Sequence, residues 1–123
     1  MSRTKQLAAF LILVISPLLT NAADISGSWT AEFDTQVGKQ SYTFMLEVDG
    51  MELTGTAASS NGNSAIAEGT VEGETLRFVE NMNYQGIGLR IVYTGEIVSS
   101  DEINFTRQVG EYGSENFTAQ RSP

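Results

Sequence analysis

The chain contains neither cysteine nor histidine. Without them there is no disulfide, no Cys/His zinc site, no Ser-His-Asp or Cys-His nucleophile system and no imidazole proton shuttle. Chemistry, if any, falls to carboxylates, tyrosines, arginines or a borrowed group, and the residues call for no metal and no cofactor. Basic charge is scarce: seven Lys and Arg stand against 15 Asp and Glu, for a formal charge of −8. A surface of that sign repels nucleic acid and anionic membranes. No long apolar run follows the N-terminal region, so no membrane insertion of the mature chain is expected. Helical periodicity is missing too, which leaves an all-β reading.

The N-terminus has its own character. Arg3 and Lys5 precede an apolar run from Leu7 to Leu19, and Thr20-Asn21-Ala22-Ala23 follows. This pattern predicts a secretory signal peptide over residues 1–23, cleaved after Ala22 or Ala23, and hence a secreted or periplasmic protein. The apolar core is short for a bilayer span. All 15 acidic residues lie at or beyond Asp24, and two of the seven basic ones fall in the leader, so the mature part is more acidic still. Residues 24–123 have the length of one domain and can bury one modest core. With no disulfide in an exported chain, sheet closure has to supply the stability.

Period-two alternation recurs over short stretches broken by Gly, Asn, Asp and Ser, the pattern of consecutive antiparallel strands. It predicts strands at Gly27 to Thr35, Ser41 to Val48, Glu52 to Ala58, Ala65 to Glu72, Thr75 to Tyr84, Gly88 to Val98, Glu102 to Val109 and Glu115 to Arg121. Asp49-Gly50, Asn61-Gly62-Asn63, Glu72-Gly73-Glu74 and Ser99-Ser100-Asp101 supply turn residues between them. No connection is long enough for a crossover helix, so the strands are antiparallel. A curled sheet with no covering helix exposes two edges unless it closes, so the expected architecture is a single eight-stranded antiparallel up-and-down barrel. Its interior phase carries Trp29, Phe33, Tyr42, Phe44, Leu53, Phe78, Ile91, Tyr93, Phe105 and Phe117, while residues such as Glu32, Thr43, Arg77, Arg90 and Asn104 fall outside.

Gly27-Ser28-Trp29 at the start of the first strand and Phe117-Thr118-Ala119-Gln120-Arg121 at the end of the last resemble the lipocalin and calycin barrels. The resemblance implies that Trp29 packs beneath Arg121 and ties first strand to last, giving both a structural role in barrel closure. The run Tyr93-Thr94-Gly95-Glu96-Ile97, with Ile103 to Gly110 after it, resembles a group of short exported bacterial barrel proteins. Some of that group carry a xylanase-type glycoside hydrolase label, which supplies no catalytic residues to carry over.

Four charged side chains share the interior phase: Glu80, Arg107, Glu115 and Arg121. Buried charges need partners. Glu80 and Arg107 read either as an internal ion pair, or as residues near the barrel mouth, or as polar anchors for a ligand, with Tyr42, Tyr84 and Tyr93 lining the same space. Three functions follow. The first is binding of a small apolar or saccharide ligand by Arg107, Glu80 and those tyrosines. The second is glycoside hydrolysis by Glu80 and Glu115, the interior carboxylate pair, which would have to stand roughly 5 to 10 Å apart across the bond. The third is a structural envelope or interaction domain with a solid interior. Nothing in the sequence sets an oligomeric state. Gly86-Ile87-Gly88 lacks the strand-to-helix setting of a dinucleotide motif and reads as a bend. The sequons at Asn104 and Asn116 read as accidental.

Overall fold

The computed structural model describes residues 25–123; the expected signal peptide lies outside the described residues. Nine strands follow in order: β1 (Gly27–Thr35), β2 (Gly38–Asp49), β3 (Glu52–Ser59), β4 (Gly62–Ala65), β5 (Ala67–Glu72), β6 (Thr75–Tyr84), β7 (Ile87–Ser99), β8 (Glu102–Val109) and β9 (Ser114–Arg121). All pairings are antiparallel, and they run β2-β1-β9-β8-β7-β6-β5-β3, with β3 paired back to β2. That ring is a closed eight-stranded barrel, and β4 is a ninth, short strand beside β3. Closure brings the first and last strands together, with Arg121 opposite Trp29.

The alternation read from the sequence holds in the walls. Trp29, Phe44, Leu53, Phe78, Ile91, Tyr93, Ile103 and Ala119 are buried, while their neighbours on the opposite phase, Val79 excepted, are partly or fully exposed. Two expectations need correction. The stretch Ala65 to Glu72 is not one strand: β4 ends at Ala65 and β5 begins at Ala67, and within β5 the backbone shifts register between Ala67 and Thr70, where Glu68 takes a left-handed φ of 55°. Such a bulge lets the wall bend sharply. Asn61-Gly62-Asn63 is likewise not the turn. Ser60 and Asn61 make it, and Gly62 and Asn63 already belong to β4.

Val79 breaks the alternation, since it is fully buried between buried Phe78 and Glu80. Its opposite number on β5 is Ala67, next to the bulge. The Glu68 carboxylate there accepts hydrogen bonds from Arg90 at 2.7 and 3.0 Å and lies 4.0 Å from Arg77, so three charged chains meet on the outer wall beside the bulge. The Arg90 guanidinium also holds Glu68's carboxyl below its ordinary pKa. Above this point the β5–β6 ladder stops at Val79, and Glu80 to Tyr84 continue in register with β7.

A small barrel demands tight backbone approach, and Gly55 provides it. A Cβ there would stand 1.8 Å from the Met45 carbonyl oxygen, and its φ is +149°. Only glycine fits where β2 and β3 curl together.

The barrel has two ends. Turns at 36–37, 60–61, 85–86 and 110–113 form one; turns at 50–51, 73–74 and 100–101, with both ends of the described chain, form the other. At this second end Arg121 lies 4.6 Å over the Trp29 ring and donates to the carbonyls of Ser26 and Ser100, both at 2.8 Å. Trp29 donates its indole N–H to Ile25, whose buried side chain closes the floor. Trp29 and Arg121 thus join first strand to last. Above them the interior is solid: Phe33, Phe44, Phe78, Tyr93, Phe105 and Phe117 pack ring on ring, with centroids as close as 4.2 Å for Phe33 and Phe117 and 4.6 Å for Phe78 and Tyr93.

Candidate functional site

A layer of polar groups caps the aromatic stack, and strand register assembles it. Tyr93 on β7, Arg107 on β8 and Glu115 on β9 are successive partners in one cross-strand row. Glu80 enters from β6 and Tyr42 from β2. Arg107 donates through Nε to the Tyr93 hydroxyl at 2.9 Å, through Nη2 to the Tyr42 hydroxyl at 3.2 Å and through Nη1 to Glu115 Oε1 at 2.9 Å. Each phenol then passes the polarity on. The Tyr93 hydroxyl donates to Glu80 Oε1 at 2.8 Å, and that of Tyr42 reaches both Glu80 oxygens at 3.2 Å. The guanidinium also lies 5.2 to 5.7 Å from the ring centroids of Phe33, Tyr42 and Tyr93.

This arrangement corrects the expectation of a direct Glu80–Arg107 ion pair. Two hydroxyls stand between them, and the direct partner of Arg107 is Glu115. The reason is access: Glu80 is 1% exposed, and the hydrogen bonds that reach its carboxylate come from the two phenols. Burial pushes the Glu80 carboxyl above its ordinary pKa, although the Tyr93 hydrogen bond, the Arg107 charge and the Tyr42 hydrogen bond all pull the other way. Burial, reinforced by the Glu80 charge, raises the pKa of both phenols, which keeps them protonated as donors. Burial opposes the charge of Arg107, but Tyr93, Tyr42 and Glu115 outweigh it and raise its pKa above the ordinary arginine value.

Above the layer the barrel opens into a cavity of about 260 Å³. Arg107 and Glu115 form its polar floor, Met82, Leu89, Ile91 and Val109 its apolar wall, and Gln36, Gln40, Asn61, Tyr84 and Tyr112 part of its rim. Val37, Ile87 and Tyr112 are each more than half exposed around this mouth. Of the residues expected to contact a ligand, Arg107 and Tyr84 line the cavity. Glu80, Tyr42 and Tyr93 do not; they lie beneath the guanidinium and hold it in place. Glu80 and Glu115 belong to one network, with Arg107 and the two phenols linking them, rather than facing each other across the cavity. Gln36, Asn61 and Tyr112 escaped the sequence reading because they sit in turns, where alternation carries no information. Among the described residues no group of three or more acidic side chains is placed to hold a metal ion.

Fold and site together define a closed antiparallel barrel with one sealed and one open end. Set against known proteins, the chain matches no family model, no curated protein and no solved structure.

Proposed function

We propose that the protein is an exported, noncatalytic binding barrel of lipocalin-like design that holds one small, partly apolar molecule in the cavity above Arg107. One observation carries this reading. Arg107 is 5% exposed and lines an apolar cavity, yet only three of the five N–H groups that a guanidinium offers are spent on Tyr93, Tyr42 and Glu115. A buried donor held rigidly against an apolar wall is the usual make-up of a small-molecule site. The size of the guest follows from the space: at about 30 Å³ per water-sized group, the cavity takes roughly eight or nine such groups.

Glycoside hydrolysis by Glu80 and Glu115 finds less support. A general acid must touch the glycosidic oxygen, and Glu80 is sealed beneath two phenols and a guanidinium. A purely structural role draws support from the solid aromatic half of the interior, but that half stops below the cavity. The test is a titration with toluene, followed by NMR at the methyl groups of Met82, Leu89, Ile91 and Val109. Saturable shifts in the parent, abolished by Leu89→Trp filling the space, are expected. A folded parent with no saturable shift refutes the reading.

A further inference from the structure

Resting on the binding role proposed above, we infer that the molecule carries a neutral head group with both a hydrogen-bond donor and an acceptor, of the carboxamide kind, and not a carboxylate or an amine. The polar floor of the cavity is already a neutral pair. Arg107 Nη1 meets Glu115 Oε1 at 2.9 Å, and the side chains are 6% and 18% exposed. Among the described residues, Arg107 keeps two N–H groups without a protein acceptor, and Glu115 keeps Oε2 without a protein donor. A donor site and an acceptor site therefore lie side by side on one floor.

Charge settles which head group suits that floor. Arg107 is the one cation among the described residues lining the cavity, and Glu115 already neutralises it. A carboxylate guest would bring a second anion to that single cation, above buried Glu80 and within a chain of formal charge −8. An amine would find Glu115 but would press against the guanidinium. Either leaves a charge out of water with no free counterion, which is costly. An amide uses both open sites: its carbonyl accepts from Arg107 and its N–H donates to Glu115 Oε2. The remaining titratable groups at the cavity, Tyr84 and Tyr112, are phenols at the rim and add no counter-charge.

Four probes of nearly one shape separate the possibilities: benzamide, benzoate, benzylamine and toluene, titrated calorimetrically at pH 7 into the mature protein and into Glu115→Gln. Benzamide is expected to bind the parent at least about tenfold more tightly than benzoate or benzylamine, a difference of about 1.4 kcal/mol. Glu115→Gln frees the Arg107 charge and is expected to reverse the order, with benzoate the tightest. Benzoate binding the parent as well as benzamide does, while toluene also binds, overturns the head-group assignment and leaves the cavity reading standing. Failure of all four probes, toluene included, overturns the cavity reading and this inference with it.

Discussion

Replacing Tyr93 with phenylalanine removes one oxygen atom and tests the polar layer directly. The ring stays, so its 4.6 Å stack on Phe78 is kept. What goes is a hydroxyl that donates to Glu80 at 2.8 Å and accepts from Arg107 at 2.9 Å. Hydrogen bonds to charged groups contribute about 1.5–3 kcal/mol each, and their buried partners are left unsatisfied, so Tyr93→Phe should cost about 3–5 kcal/mol. Against a total of about 5–15 kcal/mol for a domain, that loss is large and easily measured. Urea unfolding followed by far-UV circular dichroism should show a lower midpoint with an unchanged slope. Tyr42→Phe removes longer contacts at 3.2 Å and should cost less.

The same substitution carries a pH signature. Tyr93's hydrogen bond is the foremost influence lowering the raised Glu80 pKa, so its loss raises that pKa further. A folded state that holds a proton more tightly than the unfolded chain loses stability as pH rises. The cost of Tyr93→Phe should therefore be smallest below the unfolded carboxylate value near 4.5 and grow as pH climbs through the folded one. A cost under about 1 kcal/mol, against the 3–5 expected of two charged hydrogen bonds, would refute the reasoning. So would a cost that shrinks as pH rises.

Three further outcomes follow from the same geometry. Arg121→Met removes a cation–π contact and two hydrogen bonds at the sealed end; unfolding measurements should show a loss of about 2–3 kcal/mol, with faster amide exchange in β1 and β9. Gly55→Ala forces a Cβ into the Met45 carbonyl and should lower stability by more than about 1 kcal/mol, beyond the usual glycine-to-alanine range. Glu80→Gln places an uncharged acceptor under the phenols, so its stability relative to the parent should improve steadily as pH is raised from 4 to 7 in a series of urea melts, whatever its value at the acid end.

Much of this architecture was legible because a barrel wall is written in period two. The pairing of Trp29 with Arg121 rested on the resemblance of the strand ends to lipocalin barrels, while Glu80, Arg107 and Glu115 stood out as charges on an apolar phase. Their connections were not legible. Which charge meets which depends on register between strands distant in sequence, and the placing of Tyr42 between Glu80 and Arg107 depends on closure across the whole barrel. The break at Ile66 and the bulge after it were hidden because strand-like residues stand on both sides of each. Val79 misled for a related reason: it lies opposite Ala67, beside a bulge that no local pattern encodes.

The layer of Arg107, Tyr42, Tyr93 and Glu80 divides the molecule into two storeys with separate jobs. The lower storey carries the packing that makes the chain fold, and the upper one contributes few of those rings. Substitutions at Met82, Leu89 or Val109 should therefore reshape the upper room while leaving the foundation intact. A barrel built this way can alter its open half without being rebuilt.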